Sequence, residues 1–362
     1  MDAQVIDLFC GIGGLSAGFR NEGFEVLAGI DLDGSCKFAF ETNIGAKFIE
    51  ADISKISASF IRRLYSSSPK LKRRILIGCA PCQPFSIYTG RYRKKSTSAN
   101  DPRWQLLEEF ARLVRQTRPD VITMENVPRL TLHPVFGQFV DQLRKLGYVV
   151  TYHKVRAEHY GVPQYRTRLV LFASIFGEVR LISPTHRGRV KTVRDAIGKL
   201  PKIRAGIASS RDRLHRSRNL SDKNLLRLMT TAEGGGWQDW HKSLQLKCHK
   251  KKKGESFRSV YGRMKWDEPS PVITTQCLGI GNGRFGHPEQ HRAISIREAA
   301  ILQSFPKSFK FLSSTDPVNG LQLSRQIGNA VPVKLAAAIA RSIRFHLREV
   351  ETIGKKSAVR TY

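Results

Sequence analysis

Gln4-Val5-Ile6-Asp7-Leu8-Phe9-Cys10-Gly11-Ile12-Gly13-Gly14-Leu15 stands almost at the start of the chain and decides its fold. The segment Val5–Phe9 has strand character. It runs directly into a turn carrying Gly11, Gly13 and Gly14, and a helix follows over Leu15–Asn21. Glycines in such a turn let the backbone approach a bound ligand, and the helix N-terminus favours partial negative charge. Glu25–Asp31 reads as the second strand, with Asp31 at its end where a ribose hydroxyl contact is expected. The short strand Lys47–Glu50 comes next, followed by Asp52, placed to meet an adenine amino group. A glycine turn alone is equally well a bare strand–helix connection. With both acids behind it, the set Phe9, Gly11, Gly13, Gly14, Leu15, Asp31 and Asp52 predicts an adenosyl cofactor. The turn lacks the Gly-Lys-Ser/Thr ending of a phosphate-binding loop, which disfavours nucleoside triphosphate chemistry.

The alternation of strand and helix continues. Ile75–Cys79 reads as a fourth strand. Asp101-Pro102 then opens a long helix, since Asp is a good N-cap and Pro suits the first helical position. Its apolar positions are Leu106, Leu107, Phe110, Leu113 and Val114, and it stops before Pro119. Val121–Met124 is a fifth strand, 135–146 a helix, and Val149–Val155 and Leu169–Ala173 are closing strands. Repeated βα units predict an α/β fold with a Rossmann-like, doubly wound, mostly parallel sheet. From about 185 to 294 the pattern changes. Basic and glycine-rich sequence with weak helical periodicity predicts a separate, loop-rich smaller domain. Ser295-Ile296-Arg297-Glu298 is a capping-box helix start. Val331–Leu347 reads as a second, strongly apolar helix, with a polar, frayed tail after Gly354. The expected division is a catalytic domain over 1–184 and 295–350, whose last helix returns to the N-terminal part. A smaller domain spans 185–294, and a tail spans 351–362.

Charge narrows the partner. The 362 residues carry 61 Lys+Arg against 30 Asp+Glu, a net charge of +31. Such a surplus favours a polyanion, with nucleic acid preferred over a membrane surface. No basic leader precedes the first strand, and no apolar run is long enough to span a bilayer. Six cysteines in a chain of this length do not make a disulfide scaffold and suggest a reducing cytoplasm.

The chemistry concentrates at predicted strand ends. Gly78-Cys79-Ala80-Pro81-Cys82-Gln83-Pro84-Phe85-Ser86 leaves the fourth strand abruptly, and the prolines make a rigid pedestal for Cys82. A thiol at the carboxyl edge of an open sheet lies where such sheets bind ligands. Cys79-x-x-Cys82 is a poor half of a zinc site, because no second Cys/His pair of ligand spacing is apparent, so no metal is expected. Cys10, Cys36, Cys248 and Cys277 read as structural thiols. Glu125-Asn126-Val127-Pro128 follows the fifth strand on the same edge, and a buried carboxyl there can serve as an acid at neutral pH. Its bland reading is a strand-end cap. In Gln164-Tyr165-Arg166-Thr167-Arg168, strand alternation puts Arg166 and Arg168 on one face, able to clamp an oxygen or a phosphate. Near the end, Gln326-Ile327-Gly328-Asn329-Ala330-Val331-Pro332 leads into the last helix, and Asn329 reaches the cofactor if that helix packs beside the first strand.

In this order the segments resemble the C5-cytosine DNA methyltransferase family. The likeness covers about residues 4–184 and 295–346, and it rests on Pro81-Cys82-Gln83, Glu125-Asn126-Val127 and Gln164-x-Arg166-x-Arg168. One departure is Asp31, where the family more often has Glu. The resemblance implies S-adenosyl-L-methionine as cofactor, bound across Phe9–Leu15, Asp31, Asp52, Pro81 and Asn329. It implies that a cytosine is flipped out of double-stranded DNA. Cys82 would attack C6, Glu125 would hold or protonate N3, and Arg168, helped by Arg166, would hold the base oxygen and the carboxylate. It assigns Ser86–Asn100 as a closing loop, with Gln83, Ser86, Arg91, Arg93, Lys94 and Lys95 toward the DNA. The stretch 185–294 falls where the family keeps its target recognition domain, with base readout expected around Thr274, Thr275, Gln276 and Arg284. The expected setting is a monomeric bacterial enzyme in the cytoplasm, protecting DNA against a restriction endonuclease of the same site. Two alternatives stand beside it. A transfer-RNA substrate marks one eukaryotic branch, whose Cys-Phe-Thr signature is not found at 185–294. A non-catalytic DNA-binding relative would have lost Pro-Cys or Glu-Asn-Val, and both are intact.

Overall fold

A computed structural model of the protein describes residues 3–66, 72–80, 102–251 and 257–359. Nine strands are seen among them: β1 Ala3–Leu8, β2 Glu25–Asp31, β3 Lys47–Glu50, β4 Arg73–Gly78, β5 Val121–Asn126, β6 Val149–Arg156, β7 Thr167–Ser174, β8 Ala208–Ser209 and β9 Asp212–Arg216. The α-helices are α1 Gly14–Asn21, α2 Lys37–Ile44, α3 Ala58–Ser66, α4 Pro102–Thr117, α5 Pro134–Lys145, α6 Val193–Ile197, α7 Asp222–Met229, α8 Ile296–Leu302, α9 Gly320–Asn329 and α10 Val333–Val359. They divide into two compact units. The first holds Met1–Arg156, Thr167–Ser183 and Val333–Tyr362; the second holds Ala157–Arg166 and Pro184–Pro332.

The first unit is built on one seven-stranded sheet in the order β3-β2-β1-β4-β5-β7-β6. β1 pairs in parallel with β2 on one side and with β4 on the other, so the winding reverses at this point. Open α/β sheets bind their ligands at the carboxyl ends beside such a reversal. β1 and β5 are buried along their whole length, as strands covered on both faces must be, and they bury the polar Gln4, Asp7, Thr123, Glu125 and Asn126 along with their apolar residues. β7 runs antiparallel between β5 and β6. Its first residues therefore lie at the same edge as the last residues of β5, with Asn126 opposite Leu169 and Glu125 opposite Val170.

α10 closes this unit by packing on α1. A Cβ on Gly18 would stand 2.3 Å from the Ala336 methyl and 2.4 Å from the Ala336 backbone. Only a glycine admits that approach. Glu22, at the end of α1, is buried and pairs with Arg341 at 2.7 Å and Arg344 at 2.9 Å. Gly18→Val is expected to lower stability by about 1–3 kcal/mol through overpacking, read as a fall in the urea midpoint with an unchanged m-value.

The second unit is held together by buried arginines. Arg263 is 2% exposed, and its guanidinium donates to the carbonyls of Leu228, Thr231, His287 and Gln290. Arg292 pairs with Glu298 at 2.7 Å at the start of α8, both side chains being buried. Despite its burial, Glu298 is held below the usual carboxylate range, because the Arg292 guanidinium donates to it.

Several expectations need correction. The last helix begins at Val333 rather than Val331, and Gln326–Asn329, read as its lead-in, ends a separate helix, α9. The region after Gly354 is helical to Val359, since one glycine among good helix formers does not stop a helix. α3 escaped notice because its apolar positions Phe60, Ile61, Leu64 and Tyr65 sit among serines and arginines. α8 and α9 cluster with the second unit, so its boundary runs past residue 294 to Pro332. Salt bridges and hydrogen bonds draw them there, such as Arg297 to Asp212 at 2.6 Å.

Candidate active site

The glycine turn takes the shape its composition predicts. Phe9, Gly11 and Gly13 have φ of 61°, 50° and 86°, so three residues of the turn are left-handed. A Cβ on Gly11 would meet nothing within 4 Å, which leaves open space over the turn. Among the described residues no side chain caps α1, whose N-terminus favours partial negative charge. Asp31 ends β2 beside the turn. Its Oδ2 accepts from Gly11 N at 2.8 Å and its Oδ1 from Asp33 N at 2.9 Å. Burial outweighs these bonds and raises its carboxyl above the ordinary value. Asp52 accepts from both the amide and the hydroxyl of Ser54, which hold it low. An open glycine cradle, an uncapped helix start and two acids at neighbouring strand ends fit an adenosyl group with ribose hydroxyls to donate.

Asp7 was missed as a site residue, although it is the one acid within the first strand. It is fully buried, and Ser16 Oγ donates to its Oδ2 at 2.6 Å. Its Oδ1 has no hydrogen-bond partner among the described residues. Burial pushes its carboxyl up to about 7, with nearby Asp31 adding to the rise. A carboxyl whose value is raised in the folded state holds its proton more tightly there than in the unfolded chain, so stability falls with rising pH wherever only the folded chain is protonated. Its contribution to stability is full below the unfolded value near 3.8 and is lost as pH rises through about 7. The native chain is therefore expected to lose on the order of a few kcal/mol between about pH 4 and pH 7 from this group. Thermal unfolding of Asp7→Asn across that range should lack this slope.

At the other side of the reversal, Glu125 is 3% exposed at the end of β5. Arg168 Nε stands 3.0 Å from its Oε1. The pairing follows from topology, because antiparallel β7 starts where β5 ends. Cys79 Sγ donates to Glu125 Oε2 at 3.1 Å, and Asn126 Nδ2 donates to the Ala80 carbonyl at 3.0 Å. The exits of β4 and β5 are thus tied together twice. The buried thiols Cys10 and Cys277 are pushed up by desolvation, Cys277 to about 12, so both stay protonated and inert.

The expected Arg166–Arg168 clamp is not formed. β7 begins at Thr167, so strand alternation does not reach Arg166. Arg166 is buried in the second unit, where its guanidinium donates to Gln164 Oε1 and the Ile273 carbonyl, each at 3.3 Å. Arg284 is likewise turned inward, donating to the carbonyls of Gly234, Gly235 and Arg263 rather than offering itself to a duplex. Thr274 and Thr275 pack under α9, where a Cβ on Gly328 would fall 2.3 Å from the Thr274 backbone. Ser324 Oγ donates to the Thr275 carbonyl, while Gln276 is exposed. Asn329 is exposed at the end of α9. Pro81, Cys82, Gln83, Ser86, Arg91, Arg93, Lys94 and Lys95 lie outside the described residues. No helix among the described residues is long and apolar enough to cross a membrane.

Comparison with known proteins places this geometry. A family profile described as C-5 cytosine-specific DNA methylase matches residues 3–344. The type II methylase M.HgiDII of Herpetosiphon aurantiacus is 49% identical over 99% of both chains. The type II methyltransferase M1.HphI of Haemophilus parahaemolyticus is 34% identical, covering 95% of this chain and 87% of its own. Among solved structures, a prophage-encoded protein of E. coli described as a DNA modification methyltransferase superposes with a TM-score of 0.73 at 23% identity, covering 96% of this chain and 99% of its own. The S. pombe Dnmt2 methyltransferase gives 0.60 at 19%, covering 94% and 98%. These two likenesses concern the fold.

Proposed function

The chain belongs to the C-5 cytosine-specific DNA methylase family, and from that premise we propose how its own residues carry out the transfer. The methyl donor is S-adenosyl-L-methionine, which supplies a methyl carbon made electrophilic by its positive sulfur. The turn Phe9–Leu15 with Gly11, Gly13 and Gly14 cradles it, Asp31 takes the ribose hydroxyls, and Asp52 meets the adenine amino group. Pro81 and Asn329 join this set on the resemblance alone.

The substrate is a cytosine turned out of duplex DNA, because its ring carbons are shielded inside the stack. The Cys82 thiolate adds to C6. Glu125 engages N3 and supplies the proton that lets C5 become nucleophilic. Arg168 keeps the Glu125 carboxyl aligned and faces the base oxygen. C5 accepts the methyl group, the C5 proton leaves to a base, and the electron pair expels the Cys82 thiolate while N3 returns its proton to the Glu125 carboxylate, restoring the neutral aromatic ring. The observation that supports this reading is the buried Glu125 carboxyl paired with Arg168 on the edge where β4 and β5 end side by side. Arg166 acts as a brace within the second unit, which serves as the target recognition domain. Gln83, Ser86 and the basic residues Arg91, Arg93, Lys94 and Lys95 contact the DNA backbone, with Gln276 toward the bases.

The relatives named as type II enzymes support a place in a restriction–modification pair. The protein then acts as a cytoplasmic monomer on the same site as a cognate endonuclease, which it need not bind. Expression in a methylation-free bacterial host, followed by bisulfite sequencing, should reveal one modified sequence. Transfer of labelled methyl to transfer RNA in preference to duplex DNA would overturn the reading.

A further inference from the structure

Glu125 is gripped at both oxygens, and only one grip belongs to the expected catalytic set. Arg168 Nε faces Oε1 at 3.0 Å. Cys79 Sγ lies 3.1 Å from Oε2. Cys79 is the first residue after β4, and its amide donates to the Leu8 carbonyl at 3.4 Å, so its backbone is tied to the end of β1. Its side chain is partly buried. The neighbouring bond from Asn126 to Ala80 fixes the same two strand exits against each other. The thiol is thus carried on a rigid support and aimed at the carboxyl rather than at solvent.

We propose that Cys79 is a positioning residue for the methyl transfer, its S–H holding Glu125 Oε2 until an incoming cytosine takes that oxygen over. The inference rests on the reading of Glu125 as the group that engages the base. A carboxyl with a partner on one oxygen alone can still turn about its terminal torsion, which is broad and soft for glutamate. Two partners, one on β7 and one just past the end of β4, remove that freedom before the base arrives, and alignment of this kind contributes to rate. A thiol suits the second grip because it is a weak donor. It orients the carboxylate without competing strongly with the ring nitrogen and exocyclic amine of the base. Cys79 has no part in the covalent chemistry.

The test compares Cys79→Ala, Cys79→Ser and Glu125→Gln with the native chain in steady-state methylation of duplex DNA. Loss of one modest hydrogen bond corresponds to a fall of about five-fold. Cys79→Ala is expected to lower kcat by about that factor, leaving KM for DNA and for the cofactor unchanged. Cys79→Ser, which restores a donor, is expected to recover most of the loss. In a Glu125→Gln background, Cys79→Ala should have no further effect on the residual rate. Native kcat in Cys79→Ala would overturn the inference, as would a Ser variant no better than Ala or a loss shared equally by kcat and KM. If Glu125→Gln itself keeps native activity, the reading of Glu125 fails instead. Unfolding midpoints of all variants exclude a merely misfolded protein.

Discussion

Cys82→Ala is expected to abolish methyl transfer altogether while cofactor and duplex DNA still bind. The reason is chemical: without addition at C6, C5 of cytosine has no electron density to give to the methyl carbon. Cys10 and Cys277 are buried and held protonated, and Cys79 is committed to Glu125. The glycine turn and Asp31 belong to β1, β2 and the loops that follow them, so a change at residue 82 leaves their hydrogen bonds intact. Duplexes carrying 5-fluorocytosine give the sharper readout. Fluorine at C5 cannot leave as a proton, so the native chain should remain covalently joined to the DNA on a denaturing gel. An Ala variant that forms the same adduct would assign the nucleophile elsewhere.

The second large effect falls on Glu125. Glu125→Gln keeps the volume and one acceptor but has no acidic proton, and proton transfer by a positioned group contributes about 10²–10⁴-fold. A kcat reduced by that range is expected, with cofactor affinity retained. The variant also strips Arg168 of its anionic partner, and breaking a pair as buried as this one costs stability. The unfolding midpoint should therefore fall along with the rate. A fully folded Gln variant within tenfold of native kcat would remove Glu125 from the acid role and leave it a strand-end cap.

Much of the site was legible because it is local. The turn Phe9–Gly14 announces itself by three glycines, and two of them do adopt left-handed backbone. Asp31 and Asp52 stand at strand ends, and a strand end is recognisable from the apolar run before it. The second unit departs from expectation for a physical reason. Arg284 and Arg166 looked like cations awaiting phosphate, yet both spend their donors on protein groups, mostly backbone carbonyls of a unit poor in regular structure. A chain with few ladders must satisfy its carbonyls by side chains, and arginine has five donors to offer. Net charge thus overstates how many basic groups face the nucleic acid.

Local chemistry was enough to specify the alternating βα order and the left-handed glycine turn, since each depends on residues within a few positions of one another. Which groups meet is another matter. Arg168 reaches Glu125 only because β7 inserts antiparallel beside β5, and Cys79 reaches it only because β4 and β5 are neighbours in the sheet. Strand pairing across tens of residues is set by burial of the whole sheet, a property of the assembled core that no short window of sequence contains.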